Sequence, residues 1–220
     1  MPLDSPLEIA QRAQMVETQM RRRGVRDARV LEAMVRVPRH VCVPLEYRGQ
    51  SYEDHPIPIG EGQTISQPFI VARMLEALAL QGDELILEIG TGSGYMTALL
   101  SLLGQTVVSL ERHGSLANAA STTLAQLGCE NVTVLVGDGC LGWPERAPYD
   151  AIVVSAAAPI LPRALFEQLR ERGRMVLPVG PEESQELQLI RKLDGRPQIT
   201  LMEGCRFVPL VSGAPNPHVE

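Results

Sequence analysis

Three glycines at alternate positions, Gly90, Gly92 and Gly94, stand between a strand-like run and a helix-like run in LEIGTGSGYMTALL, residues 87–100. Glycine lets the backbone approach a ligand closely and adopt conformations closed to other residues. A tight strand-to-helix turn needs only one glycine, so three favour a ligand-binding turn. In doubly wound folds such a turn lies at the carboxyl edge of the sheet, where ligands bind.

The glycine spacing and a neighbouring carboxylate distinguish two classes of ligand. Dinucleotide enzymes use G-x-G-x-x-G, with the pyrophosphate at the helix N-terminus, whereas this turn is G-x-G-x-G. Glu88 lies just before the turn, where a carboxylate would repel a pyrophosphate but would suit an ammonium group. S-adenosyl-L-methionine (SAM) carries an ammonium group and no phosphate, so the pattern favours SAM over NAD.

Two further carboxylates follow later apolar runs. The run TVVSLE ends at Glu111, where an acid can accept hydrogen bonds from both ribose hydroxyls, although NAD sites share this feature. The next run ends in GDG, residues 137–139, and Asp138 could reach the adenine amino group. Each acid alone could be a solvated strand end. Together with Glu88 they predict a nucleoside site across three successive strands.

The fourth strand-like run, YDAIVVSAAAP, ends where the methyl group to be transferred should lie. It offers Ser155, three alanines and Pro159, and lacks the Asn/Asp-Pro-Pro-aromatic cluster typical of enzymes that methylate amino groups on bases. The run supplies no general base, and the sequence shows no metal-ligand cluster. The predicted acceptor is therefore nucleophilic at neutral pH, as a carboxylate is.

A stretch before the first core helix could position that acceptor. GEGQTISQP, residues 60–68, places the hydroxyls of Thr64 and Ser66 next to Pro68. These hydroxyls could instead cap the following helix, and their spacing leaves both roles open. The Pro- and Gly-rich stretch 41–68 has weak periodicity and predicts a long loop, which is usually functional in a compact chain.

Alternating strand-like and helix-like segments must position these residues. The pattern predicts helices near 69–80, 94–104, 115–127 and 162–170, with the strands ELILEI, TVVSLE, VTVLVG, YDAIVVS and GRMVLPV between them. Such alternation predicts right-handed crossovers and a parallel sheet, and Asp194-Gly195 predicts an antiparallel C-terminal hairpin. The predicted fold is a doubly wound, Rossmann-like α/β fold with a mostly parallel seven-stranded sheet.

Two helical segments precede this core, one ending at Gly24 and one with Asp27 as its N-cap. We therefore predict N-terminal helices and a substrate and cofactor loop at 1–68, a SAM-binding core at 69–211 and a flexible tail at 212–220.

The composition of the 220 residues narrows the classes further. Twenty basic and 26 acidic side chains give a net charge of −6, which argues against nucleic-acid binding. The four cysteines have neither zinc-site nor disulfide spacing, the N-terminus lacks a signal-peptide pattern, and the longest apolar run is about half a membrane helix. These features predict a cytoplasmic protein without membrane attachment.

The motifs together resemble those of the protein-L-isoaspartate O-methyltransferases. The resemblance spans about residues 10–211 and rests on GQTISQP, LEIGTGSGY, GDG, APYDAIVVSAAAP, GRMVLPVG and RFVPL. It implies methyl transfer from SAM, with S-adenosyl-L-homocysteine as product, to the α-carboxyl of L-isoaspartyl residues in damaged proteins and peptides. The ester then collapses to a succinimide, which begins repair. We expect a monomer without a metal.

The resemblance also implies roles for residues that match the family motifs, and Ser66 matches the active-site serine. The implied cofactor shell is Thr64, Ile65, Ser66, Glu88, Gly90, Thr91, Gly92, Ser93, Gly94, Glu111, Asp138 and Gly139. The implied peptide site is Thr64, Ser66, Val208, Pro209, Leu210 and Val211.

Three residues depart from the family pattern: Arg172 replaces a usual glycine, Met96 a common glutamine and Ser155 a common threonine. Arg172 would cost stability if its turn needs a positive φ. Three other functions stay open: an NAD-dependent oxidoreductase, another SAM-dependent O-methyltransferase, and a catalytically silent SAM-fold binding module. The glycine spacing and Glu88 disfavour the first, and the intact 60–68 stretch disfavours the last.

Overall fold

The computed structural model describes residues 3–213, which contain six α-helices and nine strands. The helices are α1 (Pro6–Met15), α2 (Ala28–Arg36), α3 (Pro68–Leu78), α4 (Tyr95–Leu103), α5 (Gly114–Gln126) and α6 (Arg163–Gln168). The strands are β1 (Ile57–Gly60), β2 (Gln63–Ile65), β3 (Leu85–Ile89), β4 (Thr106–Glu111), β5 (Val132–Val136), β6 (Tyr149–Val154), β7 (Leu169–Val179), β8 (Gln185–Leu193) and β9 (Arg196–Cys205).

Seven of the strands form one sheet in the order β5-β4-β3-β6-β7-β8-β9. Strands β3 to β7 run parallel, whereas β8 is antiparallel to β7 and β9 is antiparallel to β8. The turn between β8 and β9 has φ of +53° at Asp194 and +70° at Gly195, as a tight hairpin requires. The predicted fold class is therefore confirmed.

The strand order reverses at β3, which lies between β4 and β6. Ile89, the last residue of β3, is opposite Leu110 in β4, and it is opposite Val154 in β6. The residues that follow these three strands therefore meet at one point of the carboxyl edge. This is the position at which doubly wound folds bind ligands.

The buried strands alternate their side chains between two hydrophobic clusters, one on each face of the sheet. Ile86 and Val107 belong to the cluster that also holds Met15, Met34 and other residues of the N-terminal helices. Leu87, Ile152 and Leu165 belong to the opposite cluster. The N-terminal segment thus shares a core with the sheet, while the boundary between residues 68 and 69 stays a prediction.

The stretch 41–68 is not the continuous loop that its composition predicts. It contains short 3₁₀ turns, and β1 and β2 pair as an antiparallel hairpin with Pro58 opposite Thr64. The turn of this hairpin has positive φ at Glu61 and Gly62. Because Pro58 and Gly60 interrupt the alternation of polar and apolar residues, the sequence hides these short strands.

Two smaller differences concern β7 and the chain end. Strand β7 begins at Leu169, four residues before the predicted GRMVLPV run, and Arg172 within it has φ of +66°. Residues 214–220 of the predicted tail lie outside the described residues. Among the helices of the described part, none is both long enough and apolar enough to cross a membrane.

Candidate active site

Three adjoining clefts open at the carboxyl edge of the sheet. The glycine cleft contains about 510 Å³ of empty space beside the turn after β3. The arm cleft, about 460 Å³, lies under the C-terminal arm, which we define as residues 206–213. The outer cleft, about 580 Å³, lies between β2 and the end of β9. Ser155 and Val208 line all three clefts, so the clefts meet at these two residues.

The glycine turn uses backbone conformations that favour glycine. Gly90, Gly92 and Gly94 have φ of +91°, +53° and +81°. A Cβ on Gly90 would lie 3.4 Å from Ser155 Cβ, and one on Gly92 would lie 3.3 Å from Ile59 Cδ1. Gly90 and Gly92 line the glycine cleft with Thr91 and Ser93.

Gly94 has a different role from the other two glycines. It is the N-cap of α4, and a Cβ there would lie 3.4 Å from both Ala120 and Leu124 of α5. Gly94 therefore allows α4 and α5 to pack closely. It does not line the glycine or arm cleft, and its assignment to the cofactor shell stays a prediction.

Glu111 lies at the wall between the glycine and arm clefts. Its Oε2 accepts a hydrogen bond from the Gly92 N–H at 2.9 Å, and its Oε1 accepts one from the His113 N–H at 3.0 Å. The side chain is buried and is fixed by these two backbone groups. Each oxygen keeps a second lone pair, so the carboxylate can still accept hydrogen bonds from two ribose hydroxyls.

Glu88 does not face the glycine cleft, and the expectation that it meets an ammonium group is not supported. Its side chain is fully buried, and Oε2 accepts hydrogen bonds from the hydroxyls of Thr97 and Ser109, both at 2.6 Å. Ser109 Oγ lies 2.5 Å from Thr91 Oγ1 in the glycine turn. Glu88 therefore supports the turn from beneath, and its burial raises its pKa to about 7.

The alternation of side chains in β3 explains the position of Glu88. Glu88 points to the same face of the sheet as Ile86, where α4 covers it, and not toward the carboxyl edge. The position of Glu88 next to the turn in the sequence does not show which face of the sheet its side chain occupies.

The Asp138 carboxylate accepts hydrogen bonds from two backbone N–H groups of the protein. Its Oδ1 accepts from the Cys140 N–H and its Oδ2 accepts from the Gly213 N–H, both at 2.8 Å. Each oxygen of Asp138 keeps a second lone pair, so its contact with adenine stays a prediction, although Asp138 itself does not line the arm cleft. Gly139 does line the arm cleft, and a Cβ on it would lie 2.3 Å from Ile89 Cγ2, so only glycine fits.

Thr64 and Ser66 line both the glycine cleft and the outer cleft. Helix α3 has Gln67 as its N-cap and shows no side-chain capping hydrogen bond. The capping role that the sequence left open is therefore not the one these hydroxyls have. Ile65 is buried and lines the glycine cleft.

Backbone pairing fixes the C-terminal arm beside β6. The Ala157 N–H donates to Val208 O, and the Leu210 N–H donates to Ala157 O, both at 2.8 Å. Of the four arm residues implied in the peptide site, only Val208 lines the outer cleft with Thr64 and Ser66. Pro209, Leu210 and Val211 line the arm cleft, and their assignment to the peptide site stays a prediction.

Sequence reasoning missed most residues of the outer cleft. Those not expected are Pro56, Gln67, Ile70, Gly204, Cys205, Arg206 and Phe207. Among the described lining residues of this cleft there is no carboxylate, histidine or lysine. Burial raises the pKa of the Cys205 thiol to about 11, so this thiol is protonated at neutral pH. The GQTISQP and RFVPL motifs contain Gln67, Arg206 and Phe207, so these motifs could have indicated part of the outer cleft.

The glycine and arm clefts fit a nucleoside that carries an amino acid. Glu111 lines both clefts, and the arm cleft has apolar walls at Ile89, Leu110 and Leu210. Gly139 lets Ile89 pack closely against the wall of the arm cleft. Within residues 3–213, no group of three or more His, Cys, Asp or Glu side chains is arranged to hold a metal.

Comparisons with known proteins agree with this geometry. The sequence profile of the family described as protein-L-isoaspartate(D-aspartate) O-methyltransferase matches residues 10–215. The chain is similar to a protein-L-isoaspartate O-methyltransferase of Koribacter versatilis, with 52% identity over 200 residues that cover 91% of this chain and 90% of that protein. It is also 52% identical over 200 residues to protein-L-isoaspartate O-methyltransferase 1 of Syntrophobacter fumaroxidans, covering 91% and 94%.

A solved structure shows a similar fold. It is of a Plasmodium falciparum protein described as a protein-L-isoaspartate O-methyltransferase in complex with S-adenosyl-L-homocysteine. The TM-score is 0.78 at 26% identity, and the match covers 91% of this chain and 98% of that one.

Proposed function

This chain belongs to the protein-L-isoaspartate(D-aspartate) O-methyltransferase family, and we infer that it transfers a methyl group from SAM to the α-carboxyl of L-isoaspartyl residues in damaged proteins and peptides. One observation supports this acceptor most. The outer cleft meets the glycine cleft at Ser155 and Val208, and its described lining contains no general base. An ionised carboxylate needs no base.

The cofactor side follows from the two inner clefts. Glu111 binds the ribose hydroxyls, and the backbone of the glycine turn with Thr91 and Ser93 receives the amino acid end. The apolar walls around Gly139 receive the adenine. Glu88 contributes by holding Thr91 through Ser109 and not by contact.

The acceptor side positions the carboxylate. Bound SAM supplies a methyl group on a positively charged sulfur. Ser66 lines both the glycine cleft and the outer cleft, and its hydroxyl donates a hydrogen bond that orients the acceptor carboxylate. Val208 and Phe207 line the outer cleft and exclude water from it. Since such a transfer depends mainly on position and orientation, the side chains that fix Ser66 matter for the rate.

Replacement of Ser66 tests the acceptor side. Ser66→Ala should lower turnover on a synthetic isoaspartyl peptide by roughly 10- to 1000-fold and keep most of the affinity for SAM. Tritiated methyl transfer measures turnover, and calorimetry with S-adenosyl-L-homocysteine measures the cofactor affinity. Ser121→Ala on α5, whose hydroxyl donates only to Ala117 O, is the matched control.

Two results would contradict the proposal. Wild-type protein that binds SAM but labels no peptide would be a silent binding module. Wild-type turnover in Ser66→Ala would remove Ser66 from the site.

We also propose that the protein acts as a monomer in the cytoplasm. Its four cysteines are free, as in a reducing compartment. Light scattering during gel filtration should give the mass of one chain, and a dimer mass would contradict the monomer.

A further inference from the structure

Arg39 is a fully buried cation directly behind the acceptor side. Its Nε donates to Ser51 O at 2.8 Å, and its Nη2 donates to Ser66 O at 2.8 Å. Its guanidinium carbon lies 4.8 Å from the ring centre of Tyr95, which lines the glycine cleft. Among the described residues, Arg39 Nη1 has no hydrogen-bond partner. Arg39 therefore links the N-terminal segment to the backbone of Ser66.

The burial of this cation is costly. Burial of an ion destabilises the folded protein unless a partner charge compensates it, and this cost opposes the burial of Arg39. Within residues 3–213, no carboxylate lies within ion-pair distance of Arg39, and burial lowers the pKa of its guanidinium. A neutral side chain with two N–H groups could also donate hydrogen bonds to the Ser51 and Ser66 carbonyl groups. The rigid fork of arginine can instead hold two carbonyl groups in a fixed relation.

A second long-range contact fixes the residues after Ser66. Asp54 Oδ1 accepts from the Phe69 N–H at 3.2 Å, and Oδ2 accepts from the Gln67 side-chain amide at 2.8 Å. Arg23 forms an ion pair with Asp54 and lies over the Phe69 ring. Asp54 therefore substitutes for the missing side-chain cap of α3. Arg39 holds the Ser66 end of segment 66–69, and Asp54 holds the Phe69 end.

We propose that Arg39 is a positioning residue for methyl transfer: it fixes the Ser66 backbone so that the Ser66 hydroxyl points between the glycine and outer clefts. The inference rests on the proposed function, because it concerns the acceptor of that reaction. Glu111 and the glycine turn have their own supports, so the cofactor side should not depend on Arg39.

Replacement of Arg39 tests this role against a matched control. Arg39→Met keeps the volume and removes the fork. Arg29→Met is the same change at an arginine that donates to Leu80 O and Leu103 O, away from the clefts. Arg39→Met should lower kcat on the isoaspartyl peptide about 100-fold, as a misplacement of about 1 Å can, with cofactor affinity within about threefold. Arg29→Met should lower the melting temperature and leave kcat within about twofold.

Arg39→Lys separates position from charge. Lysine keeps the positive charge but cannot hold both carbonyl groups with one planar fork, so its kcat should stay at least about tenfold below wild type. Full turnover in Arg39→Lys with loss in Arg39→Met would show that charge alone matters and would overturn the positioning role. Equal kcat in Arg39→Met and Arg29→Met would overturn it as well.

Two further measurements keep the test decisive. A crystal structure of Arg39→Met reports on position without any activity: Ser66 should move by about 1 Å, and an unmoved Ser66 would overturn the proposal even if wild-type protein labelled no peptide. If Arg39→Met fails to fold, Asp54→Asn replaces it, because this side chain is partly exposed. It should lower kcat about tenfold through Gln67 and Phe69, and an unchanged kcat would count against external positioning of Ser66.

Discussion

The cofactor side and the acceptor side of the proposed active site are built in different ways. The cofactor side is local: the end of β3, three glycines with positive φ and the ends of neighbouring parallel strands form it. The acceptor side joins distant segments, and side chains such as Arg39 and Gln185 hold its backbone. The ends of parallel strands set most of the first, so we expect changes at Arg39 and Gln185 to damage the second selectively.

The largest effect is expected at Glu111, on the cofactor side. Glu111→Ala should weaken S-adenosyl-L-homocysteine binding at least about 100-fold, since hydrogen bonds to a charged acceptor contribute roughly 1.5–3 kcal/mol each. The variant also removes the acceptor for the Gly92 N–H. Calorimetry measures the affinity, with Glu130→Ala, an exposed acid before β5, as the control. An unchanged dissociation constant would remove Glu111 from the site.

The buried support of the glycine turn should show as a pH dependence of stability. Burial raises the pKa of Glu88 from 4.5 to about 7, so the native state holds a proton that the unfolded chain releases. The free energy of unfolding therefore falls as the pH rises from about 4.5 through about 7. Gln is neutral throughout, so Glu88→Gln should melt roughly 5 °C above wild type at about pH 8 and close to it at about pH 5. The same dependence of melting temperature on pH in wild type and Glu88→Gln, measured by calorimetry, would contradict this account.

Gln185 offers a second test of the acceptor side, because its side chain forms hydrogen bonds with both backbone groups of Phe207. Its Nε2 donates to Phe207 O at 3.1 Å, and its Oε1 accepts from the Phe207 N–H at 2.7 Å. Gln185→Met should lower kcat/KM for the peptide about tenfold, since each bond contributes about 1 kcal/mol. Cofactor affinity should change by less than about threefold, because Ala157 holds the rest of the arm.

Gln188→Met, the same change on the same strand, is the control for Gln185→Met. Equal losses of cofactor affinity and of peptide kcat/KM in Gln185→Met would erase the distinction between the two sides.

The smallest effect is expected at Arg172, outside both sides. Its φ of +66° costs an L-residue about 1 kcal/mol, so Arg172→Gly should raise the melting temperature by roughly 2–4 °C and leave turnover unchanged. Gly173→Ala should lower it, because a Cβ there would lie 2.8 Å from Arg170 O. A melting temperature that does not rise in Arg172→Gly would show that the strain is absent.

The sequence predicts the fold well where structure is local. Strands β3 to β6 are continuous apolar runs, so their bounds lie within about a residue of those predicted, and Glu111 and the glycines follow from strand ends. The β1–β2 hairpin was missed because Pro58 and Gly60 break its alternation. Glu88 was misplaced because only the pairing of β3 reveals which face it occupies.

The acceptor side was hard to predict for another physical reason. Ser66 was named through a resemblance of motifs, but its support by Arg39 joins residues 27 positions apart. No periodicity or local propensity records such a contact. Residues 204–207 likewise enter the outer cleft only because β9 ends beside β2 in space.

A paired-peptide assay tests the central claim most directly. Two synthetic peptides that differ only in an L-isoaspartyl or a normal aspartyl residue are incubated with the protein and tritiated SAM. We predict that the isoaspartyl peptide alone acquires a base-labile ester that releases methanol. Normal aspartate presents its carboxylate one carbon farther from the main chain, which spoils in-line attack. Equal labelling of the two peptides, or a base-stable product, would contradict the account.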